Sequence, residues 1–241
     1  MTYDGGKNGE GVWHSIICQM PPHRVYIEAF AGSLAVLRRK RPAQINLAIE
    51  KDELQIAKLR LEQLNGELPD CDIMQGDALE RIPKFLRHYR CSADTLIYAD
   101  PPYLRSTRTY QRDLYRCEFA SDAEHAALLE LLDRLPCMVM LSGYQSRLYQ
   151  QRLSGYKWRA IQYPAPTRQG WRLEWLWMNF PEPSALHDYR FIGAGRTDRQ
   201  RIRRKVARWK SRLQKMTALE RGAIFAALQD VQSQSATRTK G

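Results

Sequence analysis

Residues 100–103 read Asp-Pro-Pro-Tyr and follow a run of apolar residues that is typical of a buried strand. Proline supplies a carbonyl acceptor but no N–H donor, and its ring restricts the backbone, so the Asp100 carboxylate and the Pro101 carbonyl can face one point. Two acceptors at one point suit an amine, because they favour the pyramidal form in which the nitrogen lone pair attacks an electrophile. Tyr103 can stack on an aromatic ring that carries this amine. We therefore expect the catalytic residues to be Asp100, Pro101, Pro102 and Tyr103.

Three further candidate ligand-binding positions lie at the ends of predicted strands: the segment 28–32, Glu50 and Asp77. In the segment 28–32, Gly32 allows a ligand to approach the backbone, and Glu50 can accept hydrogen bonds from the hydroxyls of a ribose. Asp77 can cap the next helix and can also accept a hydrogen bond from an adenine amine. Ligands of open parallel sheets bind at the carboxyl ends of the strands, so these groups and Asp100 should surround one pocket. For Gly32 and Glu50, a plain strand-to-helix turn beside a solvated glutamate is the alternative.

The elements that would position these groups alternate along the first 180 residues. Short apolar runs predict buried parallel strands ahead of Asp77 and at 25–30, 45–49, 95–99 and 137–141. Helical patterns lie between them, at 33–40, 52–65, 78–89 and 121–135. No helix separates the last two apolar segments, which predicts an antiparallel hairpin at 158–163 and 173–180. The predicted fold class is α/β, a Rossmann-like, doubly wound mixed sheet with right-handed crossovers.

Nearly all of the excess positive charge lies in the last fifth of the chain. The formal net charge is +12, and residues 190–241 hold 14 basic and 3 acidic side chains. Thr217 and Glu220 predict a capping box that opens a second helix through about Val231. Before it, an apolar stripe recurs at helical spacing, formed by Ile202, Val206, Trp209, Leu213 and Met216. We predict a catalytic domain at 1–183 and a basic helical extension at 184–241 that packs this stripe on the domain, with about the last ten residues disordered.

Other residue patterns restrict the class of protein. The five cysteines lie far apart without a C-x-x-C pair, which argues against a disulfide framework or a zinc knuckle and favours a reducing cytosol. The five histidines lack ligand spacing, so we expect no metal. No apolar run approaches the ~18 residues of a membrane helix, and no signal sequence is recognisable. The expectation is a cytoplasmic protein that contacts no membrane.

Together these motifs resemble those of the DNA adenine methyltransferases, specifically the Dam-like and phage-encoded group with its cofactor motif ahead of the catalytic tetrapeptide. The matching segments cover nearly the whole chain: Gly5-Gly6-Lys7, 28–32, Glu50, Asp77, 100–103, 106–108 with Tyr110, 142–144, and 174–179. The resemblance implies S-adenosylmethionine as cofactor and methylation of the exocyclic amine of adenine in DNA. The cofactor-binding residues that it implies are Lys7, Glu28, Phe30, Ala31, Gly32, Glu50, Asp77 and Asp100.

The sequence departs from the family pattern in two places. Leu34 stands where many members have a second glycine in the cofactor loop, which predicts a modest affinity for the cofactor. Only residues 78–99 separate Asp77 from Asp100, so the long target-recognition insert of many Dam-like enzymes has no counterpart there. The second departure predicts relaxed sequence specificity or a very short recognition site.

Two basic segments are expected to hold double-stranded DNA through its phosphates, which gives affinity without base information. The expected contacts beside the catalytic motif are Arg105, Arg108, Tyr110, Arg112 and Arg116. Those on the C-terminal helix are Arg199, Arg203, Arg204, Arg208 and Arg212. A solvated basic face is the alternative for this helix. We expect the protein to act as a monomer.

Two other functions compete with DNA adenine methylation. Some RNA guanine methyltransferases share a Phe-x-Gly loop followed by Asp-Pro-Pro-Tyr, so methylation of a base amine in RNA is one alternative. A non-catalytic, basic nucleic-acid-binding protein on a methyltransferase-like body is the other. Segments 142–144 and 174–179 favour the DNA enzymes over the RNA enzymes.

Overall fold

The computed structural model describes residues 7, 9, 11–89, 92–108, 116–167 and 170–238, which divide into two compact units, Met1–Phe191 and Ile192–Gly241. The strands of the first unit are β1 (Val25–Ala29), β2 (Ile45–Glu50), β3 (Asp72–Gln75), β4 (Thr95–Ala99), β5 (Met138–Gly143), β6 (Arg159–Thr167) and β7 (Gly170–Met178). Its helices are α1 (Val12–Ile17), α2 (Glu53–Leu64), α3 (Ala78–His88), α4 (Asp122–Arg134) and α5 (Arg147–Arg152). The second unit contains α6 (Arg196–Lys215) and α7 (Ala218–Arg238).

The seven strands form one sheet in the order β3-β2-β1-β4-β5-β7-β6. Strands β1 to β5 are mutually parallel, whereas β7 lies antiparallel to both of its neighbours, β5 and β6. The prediction of a doubly wound mixed sheet with a hairpin at one edge is confirmed. The strand order reverses between β1 and β4, which is where such sheets bind ligands beyond their carboxyl ends.

Both faces of the sheet are buried, because the central strands are apolar at nearly every position. Val25 and Ile27 of β1 belong to a core with α3 and α4, while Tyr26 between them belongs to a second core with α1 and α2. Helices α2 and α3 begin at the side-chain caps Asp52 and Asp77. These caps fix where each helix leaves the site end of the sheet.

The helix predicted at 33–40 is wrong, since this segment forms a series of turns. Phe30, Gly32 and Leu34 have φ angles of 58°, 48° and 55°, in the left-handed region that a right-handed helix excludes. The turns bring the backbone N–H of Leu37 to the Glu28 carboxylate at 2.8 Å. Leu34 and Leu37 are nevertheless fully buried, so their spacing imitated the apolar face of a helix.

Residues 184–191 belong to the first unit, so the chain divides after Phe191 instead of after Pro183. The Asp188 carboxylate accepts the backbone N–H of Arg41 at 2.9 Å, and the backbone N–H of His187 donates to the Met20 carbonyl at 2.9 Å. The Phe191 ring meets Trp13 edge-on, with 4.8 Å between centroids. These contacts tie the segment to α1 and to the turns after β1.

In the second unit, Thr217 and Glu220 form the predicted capping box at the start of α7. Helix α7 continues past Val231 to Arg238, which is seven residues into the tail that was predicted to be disordered. The side chains of α6 are not buried: Val206 is 60% exposed and Trp209 is 45% exposed. The packing of the apolar stripe on the catalytic domain stays a prediction. None of the described helices is long and apolar enough to cross a membrane.

Candidate functional site

A cavity of about 420 Å³ opens at the carboxyl ends of β1, β2, β3 and β4. Residues from each of these strand ends line it, and so does Lys7 from the segment before α1. The lining includes these residues predicted from the sequence: Lys7, Glu28, Phe30, Ala31, Glu50, Asp77, Asp100, Pro101, Pro102 and Tyr103. Gly32 lies between Ala31 and Ser33, which both line the cavity. The structure thus brings the predicted cofactor-binding and catalytic residues around a single space.

The turn after β1 is held by hydrogen bonds of its backbone. The Ala31 N–H donates to the Ile49 carbonyl at 2.9 Å, and the Gln55 side-chain amide donates to the Gly32 carbonyl at 2.6 Å. Leu34 is fully buried in the core and does not line the cavity. Its left-handed backbone costs about 1 kcal/mol, which the burial of its side chain offsets. Leucine at this position therefore leaves the cavity open.

Glu50 is fixed by three backbone donors. Its Oε1 accepts the N–H groups of Lys51 and Asp52 at 2.8 and 2.9 Å, and its Oε2 accepts the N–H of Gly32 at 2.8 Å. A carboxylate has about four acceptor positions, so one remains at Oε2. Glu50 thereby connects the turn after β1 to the end of β2 and can still accept one ligand hydroxyl.

Asp77 serves as the cap of α3 and contacts a lysine at the cavity. Its Oδ1 accepts the backbone N–H of Leu79 at 2.9 Å, and its Oδ2 lies 3.0 Å from Lys51 Nζ. This hydrogen bond raises the pKa of Lys51. The capping role predicted for Asp77 is confirmed, and its oxygens retain acceptor positions toward the cavity.

The Glu28 carboxylate is used mainly inside the protein. Its Oε2 accepts the Tyr26 hydroxyl at 3.0 Å and the Leu37 N–H at 2.8 Å. Burial raises the pKa of Glu28 to about 7, although both hydrogen bonds favour the ionised form. Glu28 lines the cavity, but its contacts give it a role in holding the turns after β1.

Asp100 lies at the end of β4 and is paired with Lys7. The Lys7 Nζ is 2.8 Å from Asp100 Oδ1 and 3.2 Å from Glu174 Oε2, and it also donates to the Tyr103 hydroxyl. Burial raises the pKa of Asp100 to about 6 against the opposing effect of Lys7. Burial disfavours the charge on Lys7, yet the two carboxylates raise its pKa well above the usual value. The Lys7 cation therefore stabilises the ionised Asp100 carboxylate.

A buried chain of hydroxyls continues from Glu174 into the sheet. Glu174 accepts the Tyr163 hydroxyl at 3.0 Å, and Ser142 lies 3.2 Å from Tyr163 and 2.9 Å from the Tyr98 hydroxyl. Segments 142–144 and 174–179 resemble family segments, but their sequence alone indicates no site role for Ser142 or Glu174. The likeness of these two segments to the family was the sequence signal that could have identified Ser142 and Glu174 as site residues. The pairing of Glu174 with Lys7 is a contact between distant parts of the chain that spacing could not reveal.

The Tyr103 ring, predicted to stack on a substrate ring, is bordered by a second tyrosine. Tyr144 meets it edge-on with 4.5 Å between centroids, and the Arg172 guanidinium lies 3.9 Å from the centre of the Tyr144 ring. Arg172 also donates to the Thr107 carbonyl at 2.8 Å. Tyr144 and Arg172 thus support the aromatic side of the catalytic motif.

Arg108 departs from its predicted role as a phosphate contact. It is 8% exposed, its Nε donates to the Tyr103 carbonyl at 2.7 Å, and its two terminal nitrogens pair with Glu118 at 3.0 and 2.6 Å. A guanidinium used in this way is not available to DNA in this conformation, because the neighbouring carboxylate neutralises it. The sequence indicates that Arg108 is basic but does not indicate that it pairs with Glu118.

The other expected DNA contacts differ in exposure. Arg116 is exposed and lies 3.5 Å from Asp52, whereas Arg105 is half-buried. Tyr110 and Arg112 lie outside the described residues. On α6, Arg199 is half-buried, and the exposed arginines are Arg203, Arg204, Arg208 and Arg212. Among the described residues, no group of three or more His, Cys, Asp or Glu side chains is placed to hold a metal ion.

Comparison with known proteins shows a relationship at the level of the fold. No family model matches the sequence, and no curated protein matches it either. An O-methyltransferase from Bacillus cereus in complex with SAH has a similar structure, with TM-score 0.50 and 12% identity over 75% of this chain and 84% of that one. A precorrin 8W decarboxylase from Methanobacterium thermoautotrophicum has TM-score 0.47 and 14% identity over 74% and 94% of the two chains. An rRNA methylase from Streptococcus thermophilus has TM-score 0.44 and 14% identity over 69% and 93%. The chain has the Rossmann-like fold of S-adenosylmethionine-dependent methyltransferases.

Proposed function

We propose that this protein transfers a methyl group from S-adenosylmethionine to the exocyclic amine of adenine in double-stranded DNA. The observation that carries the proposal is the shared cavity, where Glu50 and Asp77 lie on the same lining as the Asp100–Tyr103 motif. A methyl donor and an amine acceptor need one continuous space, because the reacting atoms must come within about 3–3.5 Å of each other. The resemblance of the motifs to DNA adenine methyltransferases supports the choice of adenine.

The residues of the cavity fit the proposed cofactor. Its volume of about 420 Å³ lies in the range of small-molecule sites. Glu50 retains an acceptor for a ribose hydroxyl, and Asp77 retains acceptors for an adenine amine. Phe30 and Phe119 line the same space, with ring centroids 5.0 Å apart, and supply an apolar wall for a purine. The same-fold enzyme from Bacillus cereus, solved with SAH, supports this assignment.

The cofactor would supply an electrophilic methyl group on a sulfonium centre. The protein would prepare the amine that attacks it. Asp100 Oδ1 contacts Lys7 and Tyr103, so Oδ2 and the Pro101 carbonyl are the acceptors for the two amine hydrogens. Because these hydrogen bonds strengthen as positive charge develops on nitrogen, they stabilise the transition state more than the ground state. Lys7 keeps Asp100 ionised and in place, and Glu174 holds the Lys7 ammonium group.

The exposed arginines of the second unit favour a nucleic acid as the substrate. Arg203, Arg204, Arg208 and Arg212 are exposed on α6, and such side chains bind phosphates without reading bases. An amine inside a duplex is inaccessible to the cavity, so the target base would have to leave the helix and stack on Tyr103. We therefore expect methylation with little sequence discrimination. Sequencing of methylated random DNA tests this expectation, and one long, sharply defined site would contradict it.

The deciding experiment compares two substrates and two variants. Wild-type protein, Asp100→Ala and the exposed control Glu130→Gln are incubated with tritiated S-adenosylmethionine and either unmethylated duplex DNA or total RNA, followed by nucleoside analysis. We expect N6-methyladenine in DNA with wild type and Glu130→Gln, and none with Asp100→Ala, whose cofactor affinity by calorimetry should stay near wild type. Methyl transfer to RNA but not to DNA would identify RNA as the substrate instead of DNA. DNA binding with no cofactor binding would support the non-catalytic alternative.

A further inference from the structure

His125 is a buried group that the proposed reaction does not use. It lies in the first turn of α4 and is 1% exposed. Its Nε2 is 2.9 Å from the Phe119 carbonyl and 3.1 Å from the Pro102 carbonyl, and its Nδ1 is 2.8 Å from the Tyr149 hydroxyl. Both ring nitrogens therefore have partners, and the partners on Nε2 are two backbone carbonyls of the site.

These contacts fix the tautomer. A carbonyl oxygen only accepts hydrogen bonds, so Nε2 of His125 must carry the hydrogen that Pro102 and Phe119 share. Burial lowers the pKa of His125, which favours the neutral ring, and Nδ1 then has only a lone pair. Consequently Tyr149 must donate its hydroxyl hydrogen to Nδ1. Tyr149 comes from α5, so the ring connects α4 and α5 to the site.

The two carbonyls lie on two segments of the site that other contacts also join. Pro102 belongs to the catalytic motif, and Phe119 lines the cavity. We call residues 102–108 and 116–120 the paired segments. The Arg105 N–H donates to the Ala120 carbonyl at 3.0 Å, and Arg108 pairs with Glu118. His125 is a donor from outside the paired segments, and its single N–H reaches both of them.

We infer that His125 is a positioning residue that joins the paired segments at Pro102 and Phe119 and thereby sets the geometry of the catalytic motif. This role rests on the proposed function, in which Asp100, Pro101 and Tyr103 receive the target base. A small displacement of reacting groups can cost about 100-fold in rate, so a donor that fixes the Pro102 peptide acts on turnover although it touches no substrate. The cofactor residues Glu50 and Asp77 lie on other strand ends and keep their own contacts.

Three variants test the role. His125→Phe keeps an aromatic ring but removes both nitrogens. His125→Gln retains an N–H donor at the reach of Nε2. Tyr149→Phe removes only the hydroxyl that fixes the tautomer. We expect His125→Phe to lower kcat on duplex DNA by about 10- to 100-fold with less than about a threefold change in cofactor affinity. His125→Gln should recover most of the loss, and Tyr149→Phe should show an intermediate kcat.

A structural measurement and the kinetic comparison can each overturn the inference. Nitrogen NMR of the folded wild-type protein should show His125 with a protonated Nε2 and an unprotonated Nδ1, and the reverse tautomer would contradict the role. Equal losses in His125→Gln and His125→Phe, or wild-type kcat in a folded His125→Phe, would also contradict it. If His125→Phe does not fold, Tyr149→Phe and His125→Gln carry the kinetic comparison. If wild type methylates no nucleic acid, the proposed function fails, while the NMR result still decides the tautomer.

Discussion

Lys7 pairs with Asp100 on the lining of the cavity, with 2.8 Å between Nζ and Oδ1. The lysine precedes the sheet in the chain, and the aspartate follows its fourth strand. Glu174 holds the same ammonium group from β7 at 3.2 Å. A cation between two buried carboxylates lowers the cost of keeping both ionised. The state of Asp100 therefore depends on a residue outside the catalytic motif.

Replacing Lys7 with Met should move the acid limb of the pH profile of kcat/KM to higher pH. The ionised form of Asp100 accepts the amine, and its pKa of about 6 implies that wild-type activity falls as the pH drops through about 6. Without Lys7, burial and Glu174 remain, and both raise the pKa of Asp100. Activity should then already be lost at a pH where wild type is active. The exposed Lys84→Met variant is the control, and an unchanged limb in Lys7→Met would refute the coupling.

Replacing Glu50 with Ala should weaken the binding of S-adenosylmethionine by at least about tenfold. The substitution removes an acceptor for the ribose hydroxyl. It also leaves the backbone N–H groups of Gly32, Lys51 and Asp52 without the carboxylate that accepts their hydrogen bonds, and these bonds contribute to the order of the turn. Isothermal calorimetry measures the affinity. Glu53→Ala, an exposed neighbour in the first turn of α2, should bind like wild type. Equal affinities for the two variants would show that Glu50 does not hold the cofactor.

Arg108 and the arginines of α6 should respond differently to neutralisation. Arg108→Met leaves the partly buried Glu118 without its cation and should lower the free energy of unfolding by about 2 kcal/mol. The double variant Arg208→Gln, Arg212→Gln should keep wild-type stability, since both side chains are exposed. It should instead reduce the slope of log K against log salt for DNA binding by about 2. Urea denaturation and salt titration separate the effects, and an unchanged slope would identify α6 as a solvated basic face.

Replacing Leu34 with Gly should destabilise the protein without improving cofactor binding. The substitution relieves a φ of 55° but removes a fully buried side chain, and the second effect is larger, so we expect a net loss of about 2 kcal/mol. Leu37→Gly is the matched control, because Leu37 is equally buried but has no positive φ. This variant should lose more stability than Leu34→Gly. A clear gain in cofactor affinity for Leu34→Gly would mean that the leucine restricts the cavity after all.

The sequence predicted the sheet well because its central strands are buried on both faces and therefore read as continuous apolar runs. The same reasoning failed at 33–40, where Leu34 and Leu37 are buried by turns, since burial periodicity does not report the sign of φ. The site residues at the strand ends followed from topology. The contacts of Lys7 with Glu174 and of Arg108 with Glu118 did not, because charge along a sequence does not show which carboxylate folds back onto which cation.

The insertion of β7 between β5 and β6 makes the Lys7 site depend on the antiparallel edge of the sheet. The second carboxylate at Lys7, Glu174, lies in Gly170–Met178 and reaches the ammonium group only when that strand is paired in the sheet. A partly folded state without this strand pairing can form the turns after β1 and β2 but lacks one of the two acids around the ammonium group. Assembly of the charged cluster is thereby coupled to completion of the sheet.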